Sequence, residues 1–139
     1  MAGAKELLSY SKELRILYVE DDDKLREDTL RLLSTFFGRV SVAINGKEAL
    51  ELYDSNTFDM VISDYTMPEM DGLELTRKIK EINGEQIVII LSAHDEPQYV
   101  EDLREAGIND FIFKPLNIQQ FIDTMYSNCK AIHDKKNTL

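Results

Sequence analysis

Four short apolar runs set the frame for this chain. They are Ile16-Leu17-Tyr18-Val19, Met60-Val61-Ile62, Ile87-Val88-Ile89-Ile90-Leu91 and Phe111-Ile112-Phe113. Each is rich in β-branched or aromatic residues and too short for an independent helix, so each reads as a buried strand. A weaker fifth, Val40-Ser41-Val42-Ala43, alternates and runs into the turn signal Asn45-Gly46. Helical spacings fill the gaps. Leu25, Leu32, Leu33 and Phe36 share one face, as do Ala49, Leu50 and Tyr53. Leu75, Ile79 and Ile82 form a third stripe, and Val100, Leu103 and Ala106 a fourth. The clearest stripe is Ile118, Phe121, Ile122, Met125, Cys129 and Ile132. Strand and helix therefore alternate to the end. Such a chain builds βαβ units, a parallel sheet and a helical layer on both faces, with right-handed crossovers.

Gly107 follows a helical stretch and suits a C-cap, and Asp71-Gly72 suits a turn before a helix. No internal repeat, low-complexity segment or Pro/Gly/Ser linker divides the chain. One domain is expected over 15–133. An extension at 1–14 carries only a weak helical signal around Leu7, Leu8 and Leu14, and a polar tail follows at 134–139.

Composition narrows the function. The 139 residues suffice for one core without staples. Acids outnumber bases 26 to 16, a formal net charge of −10, which argues against phosphate backbones and anionic membrane surfaces as partners. No apolar run approaches the roughly 18 residues of a membrane span, and residues 1–10 lack a signal-peptide core. The single cysteine, Cys129, excludes an internal disulfide and a cysteine-based zinc site. A cytoplasmic acidic domain is expected.

In open parallel sheets, ligands bind beyond the carboxyl ends of the strands. Glu20, Asp21, Asp22 and Asp23 follow Ile16-Leu17-Tyr18-Val19, Asp64 comes after Met60-Val61-Ile62, Ser92 after Ile87-Val88-Ile89-Ile90-Leu91, and Lys114-Pro115 after Phe111-Ile112-Phe113. Like carboxylates about 4 Å apart repel by about 4 kcal/mol at an effective dielectric near 20. Protonation or a bound cation must relieve this. An all-oxygen cluster suits a hard ion, Mg²⁺ above all. Such an ion and Lys114 would neutralise an incoming phosphoryl group, and Ser92 would hydrogen-bond one of its oxygens. Asp64, alone after a central strand, is the candidate nucleophile, forming an acyl phosphate.

Four segments in this order resemble the receiver domain of two-component response regulators. They are Ile16-Leu17-Tyr18-Val19-Glu20-Asp21-Asp22; Ser63-Asp64-Tyr65-Thr66-Met67-Pro68-Glu69-Met70-Asp71-Gly72; Leu91-Ser92-Ala93; and Ala106-Gly107 with Phe111-Ile112-Phe113-Lys114-Pro115. The resemblance spans about 15–132. It implies a flavodoxin-like, doubly wound (βα)5 fold, its five parallel strands in the order 2-1-3-4-5. It implies that Asp64 is the phosphoacceptor, that Glu20, Asp21, Asp64 and the Thr66 carbonyl hold Mg²⁺, and that Lys114, joined to Pro115 by a cis peptide, contacts the phosphoryl group. Ser92 and Phe111 match the switch hydroxyl and switch aromatic, which reshape the face of the fourth helix, fifth strand and fifth helix of the (βα)5 unit. Thr66 and His94 would flank the acyl phosphate, where the family tunes its lifetime. The implied partners are a sensor histidine kinase and a downstream protein target or effector domain.

Two departures stand out. Glu20 replaces the commoner Asp, and the aromatic is Phe111 rather than Tyr. The stretch Asn117-Ile118-Gln119-Gln120 lacks the base found in members that dimerise for DNA binding. A monomer or weak phosphorylation-dependent dimer is therefore expected, with output by protein binding and no direct DNA contact.

Plainer roles fit several of these residues. Asp22 and Asp23 suit a solvated helix N-terminus, His133 a helix end, Cys129 the core, Met67 and Met70 loop packing, and His94 an exposed loop. Two rival functions remain. One is a phosphohydrolase with an aspartyl nucleophile, whose Asp-x-Asp motif Glu20-Asp21-Asp22 lacks. The other is a constitutive pseudo-receiver binding module, against which the full residue set weighs.

Overall fold

Residues along each strand alternate between two cores. Ile16 and Tyr18 enter one, and Leu17 and Val19 the other. The computed structural model describes residues 2–93 and 96–137. Strands β1 (Arg15–Val19), β2 (Arg39–Ala43), β3 (Met60–Asp64), β4 (Ile87–Ser92) and β5 (Asp110–Phe113) form a parallel sheet in the order β2-β1-β3-β4-β5. Helices are α1 (Ala4–Ser11), α2 (Asp23–Phe36), α3 (Gly46–Ser55), α4 (Gly72–Ile82), α5 (Pro97–Ala106) and α6 (Ile118–Lys136). One core joins the sheet to Leu7 of α1, Leu33 and Phe36 of α2, and Phe121, Met125 and Cys129 of α6. The other joins it to Ala49 and Tyr53 of α3, Leu75 and Ile79 of α4, and Leu103 of α5. This is the expected flavodoxin-like, doubly wound arrangement.

Asx side chains start α2, α3, α4 and α6. Asp22 accepts from the Leu25 amide at 2.9 Å, Asn45 from Glu48 at 2.8 Å, Asp71 from Glu74 at 2.9 Å and Asn117 from Gln120 at 2.9 Å. Asn45-Gly46 is thus a helix start rather than a free-standing turn. Gly107 ends α5 at φ +98°, a left-handed cap that a Cβ would strain.

The helical stripes are buried at their middles and exposed at their ends. Leu25, Ile82 and Ile118 are exposed, unlike Leu33, Leu75, Ile79 and Phe121. For Leu25 and Ile118 the reason is length: the 14 residues of α2 and the 19 of α6 span about 21 Å and about 28 Å, against about 17 Å for a five-residue strand, while Ile82 is the last residue of α4. Terminal turns overhang the sheet.

The extension before β1 is ordered. Its helix α1 lies against α2 and α6 and buries Leu7, while Leu14 after it is also buried. The Ser11 hydroxyl donates to the Phe36 carbonyl at 2.6 Å, and the Ala2 amide to Asp123 Oδ1 at 2.9 Å. The Tyr10 ring meets Tyr126 at 5.7 Å and His133 at 4.9 Å. Helix α6 continues as far as Lys136, so residues 134–136 of the expected tail are helical.

Candidate functional site

Parallel register carries the residue after each strand to one edge. Val19 pairs with Ser63, Asp64 with Leu91, and Ser92 with Phe113. Ladder bonds continue one step further: the Glu20 amide donates to Ala43 O at 3.1 Å, Tyr65 to Leu91 O at 3.0 Å, and Lys114 to Ser92 O at 2.9 Å. The backbone at the site is therefore part of the sheet, and the acids project from a rigid platform.

Carboxylate oxygens of Glu20, Asp21 and Asp64 lie within 4.8 Å of one another. Glu20 is 1 % exposed and Asp64 7 %; Asp21 faces solvent. The Lys114 ammonium donates to Asp64 Oδ1 and, at 3.1 Å, to Glu20 Oε1. The Asp22 amide reaches Glu20 Oε2 at 3.3 Å, and the Thr66 amide reaches Asp64 Oδ2 at 3.1 Å. The Lys114-Pro115 peptide is cis, as expected.

Burial pushes the Glu20 and Asp64 carboxyls above their ordinary range, and for Glu20 the Asp64 charge adds to it. Lys114 pulls both back without cancelling the effect. Burial opposes the Lys114 charge, but the two carboxylates more than offset it and hold that ammonium above the usual lysine range. The pocket thus carries more negative charge than one lysine neutralises. All-oxygen donors converging on one point, two of them buried, fit a hard divalent cation such as Mg²⁺.

Loop packing holds Asp64 in place. The Gly72 amide donates to Tyr65 O at 2.7 Å, and a Cβ on Gly72 would lie 2.8 Å from the Asp64 carbonyl oxygen. Only glycine admits that approach. Ser92 is buried at the end of β4, next in chain to the Asp64 partner Leu91. Phe111 is half-buried and packs on Phe113, ring centroids 4.7 Å apart. Both line a cavity of about 290 Å³ with Val100 and Arg104 of α5. His94 lies outside the described residues.

Two contributors were not read from the sequence. Arg26 reaches back from α2 to the carbonyl oxygens of Glu20 at 3.0 Å and Asp21 at 3.3 Å. Its signal was an arginine six residues after Glu20 and five after Asp21, one helical turn past the acidic loop. Tyr65, directly after Asp64, packs on Tyr99 of α5 with centroids 5.1 Å apart. Asp22 and Asp23 take the expected place at a helix N-terminus, as N-cap and in the first turn, and Asp23 also pairs with Arg26 at 2.5 Å.

The family description "Response regulator receiver domain" matches residues 16–126. The chain is 38% identical over 106 residues to a cyclic di-GMP phosphodiesterase of Thermotoga maritima, covering 76% of this chain and 28% of that protein. It is 36% identical over 112 residues to the chemotaxis protein CheY of Bacillus subtilis, covering 80% and 93%. Among solved structures it resembles the CheX-CheY-BeF3-Mg²⁺ complex of Borrelia burgdorferi, with TM-score 0.77 and 29% identity over 84% of this chain and 89% of that one. It spans under half the length of the phosphodiesterase and of the MprA response regulators that it also matches. No helix among the described residues is long and apolar enough to cross a membrane. With its family match running from β1 into α6 and its acidic pocket at the carboxyl edge of the sheet, the chain belongs to the response regulator receiver domains.

Proposed function

We propose that this chain is a phosphorylation-dependent switch that accepts a phosphoryl group on Asp64 from a sensor histidine kinase. The observation that carries this reading is the buried Asp64 carboxylate, bonded to Lys114 and within 4.8 Å of Glu20 and Asp21 oxygens. Glu20, Asp21, Asp64 and the Thr66 carbonyl would hold Mg²⁺. When bound, the ion supplies charge neutralisation for the incoming phosphoryl oxygens.

The chain's own residues do the rest. An Asp64 oxygen attacks the phosphorus of a phosphohistidine, forming an O–P bond as the P–N bond breaks. The imidazole leaves with the electron pair and takes up a proton. Lys114, already bonded to Asp64 and Glu20, meets the added charge, and Ser92 donates to a phosphoryl oxygen. Water later hydrolyses the acyl phosphate beside Thr66, whose amide already bonds Asp64 Oδ2. The switch is driven by a new charge of about −1.5 to −2. Contacts from Lys114 and Ser92 that are stronger in one arrangement shift the population toward it, with Phe111 turning inward. The output is altered binding of a downstream protein at the α5–β5–α6 face, where Phe113 and Ile118 are exposed. The chain catalyses only its own phosphorylation and dephosphorylation, and it works in the bacterial cytoplasm.

Intact-mass spectrometry after acetyl phosphate and Mg²⁺ tests this. The wild-type chain should gain about 80 Da, the mass of one phosphoryl group on a carboxylate, and Asp64→Asn should gain nothing. A gain that persists in Asp64→Asn and vanishes in Asp21→Asn would move the nucleophile to Asp21. No adduct with acetyl phosphate or beryllofluoride in excess Mg²⁺ would leave a constitutive binding module.

A further inference from the structure

We infer that Arg26 is a positioning residue for the cation pocket, holding the main chain of the β1–α2 loop so that Glu20 and Asp21 face Asp64. The inference rests on the reading that these three acids hold a divalent cation. It starts from where the guanidinium goes. One nitrogen, Nη1, donates to the carbonyl oxygens of Glu20 and Asp21. The other, Nη2, pairs at 2.5 Å with Asp23, an acid outside the trio. Arg26 therefore grips the backbone of the acidic loop and leaves the trio's carboxylate oxygens to other partners.

That choice matters because the loop is under electrostatic load. Glu20 and Asp21 are adjacent in sequence, and Asp64 faces both. Their mutual repulsion favours swinging the loop away from β3. The two carbonyls also sit where the chain leaves the sheet and enters α2, and they need donors. A planar guanidinium meets both carbonyls and the Asp23 carboxylate together. The three-donor point charge of lysine lacks that fork. Arg26 is four-fifths buried at its side chain, so its geometry is held by packing.

A merely electrostatic role predicts the opposite sign. A positive charge beside the pocket repels Mg²⁺, so deleting it tightens binding if charge is all that counts. If position counts, deleting it loosens binding.

The test is a calorimetric titration of the whole chain with Mg²⁺ for wild type, Arg26→Lys, Arg26→Gln and Asp23→Asn. Amide hydrogen exchange at 21–23 is followed on the same samples. Both Arg26 variants should bind Mg²⁺ about tenfold more weakly and exchange the Asp22 amide faster. Asp23→Asn should stay within about twofold of wild type, because the carbonyl contacts survive. Wild-type affinity in Arg26→Lys, or tighter binding in Arg26→Gln, would overturn the inference. If Arg26→Gln does not fold, Arg26→Lys decides, since its stem keeps the packing. A wild-type chain that binds no Mg²⁺ overturns the cation reading instead. Unchanged exchange in Arg26→Lys then overturns the loop-holding role as well.

Discussion

At the amino-terminal edge of the sheet, Asp59 accepts from the Arg15 amide at 2.8 Å and pairs with Lys136 at 2.7 Å. Glu85 pairs with Lys135 at 3.0 Å, and Asp110 accepts from Asn128 at 2.6 Å. The Lys80 ammonium donates to the Gln86 carbonyl at 2.5 Å. Each of these three acids has its own donor. At the carboxyl edge, three acids crowd around Lys114, and two of them are buried. Asp59, Glu85 and Asp110 are matched by donors at one edge, whereas the trio at the other shares one lysine, although the same five strands support both. Burial penalises charge wherever it occurs. A fold that leaves the deficit at one edge gives up stability there for a pocket whose charge suits a hard divalent cation.

Lys114→Met should have the largest effect on this contrast. It leaves two buried carboxylates without their ammonium, at a cost of about 3 kcal/mol at neutral pH, read by urea denaturation. The loss should shrink as pH falls and the two acids take up protons. An equal loss at pH 4 and pH 7 would show that packing, not charge, was removed.

Asp64→Asn should act in the opposite direction. Its folded pKa is raised, so the carboxyl favours the folded state only below its ordinary range. Ionisation costs stability once the pH rises through the raised value. Removing the charge should therefore raise Tm by about 3 °C at pH 7, and less as the pH falls through that range. A lower Tm at pH 7 would mean that Lys114 overcompensates for the burial of Asp64. The smallest effect belongs to the other edge. Lys135→Ala removes an exposed pair and should change stability by less than about 0.5 kcal/mol. A larger loss would break the contrast, since both edges would then depend on their charges.

Much of the site was legible because parallel strands obey a rule. Residues that follow strands in such a sheet meet at one edge, so Glu20, Asp21, Asp64, Ser92 and Lys114 could be grouped from their places alone. Less legible was the division of labour among the acids. The helix N-terminus at Asp22 and Asp23 could be read, but nothing in Glu20-Asp21-Asp22-Asp23 states that the first is buried, the second faces solvent and the fourth pairs with Arg26. That depends on the angle at which α2 leaves the sheet. Nor does a helical stripe reveal where the sheet beneath it ends, so the exposure of Leu25, Ile82 and Ile118 does not follow from their spacing.

By itself, the sequence determined the alternation of strand and helix, the face each residue takes along a strand, and which chemical groups reach the carboxyl edge. These are local properties, set by side-chain periods of two and 3.6 and by caps within a few residues. Tertiary structure alone decided that Lys114 bridges Glu20 and Asp64 across 94 and 50 residues. It also decided that α1 docks on α6 and that Arg26 grips the loop behind it. Contacts at long range form only when packing repays the entropy of bringing distant segments together, and no single segment carries that balance.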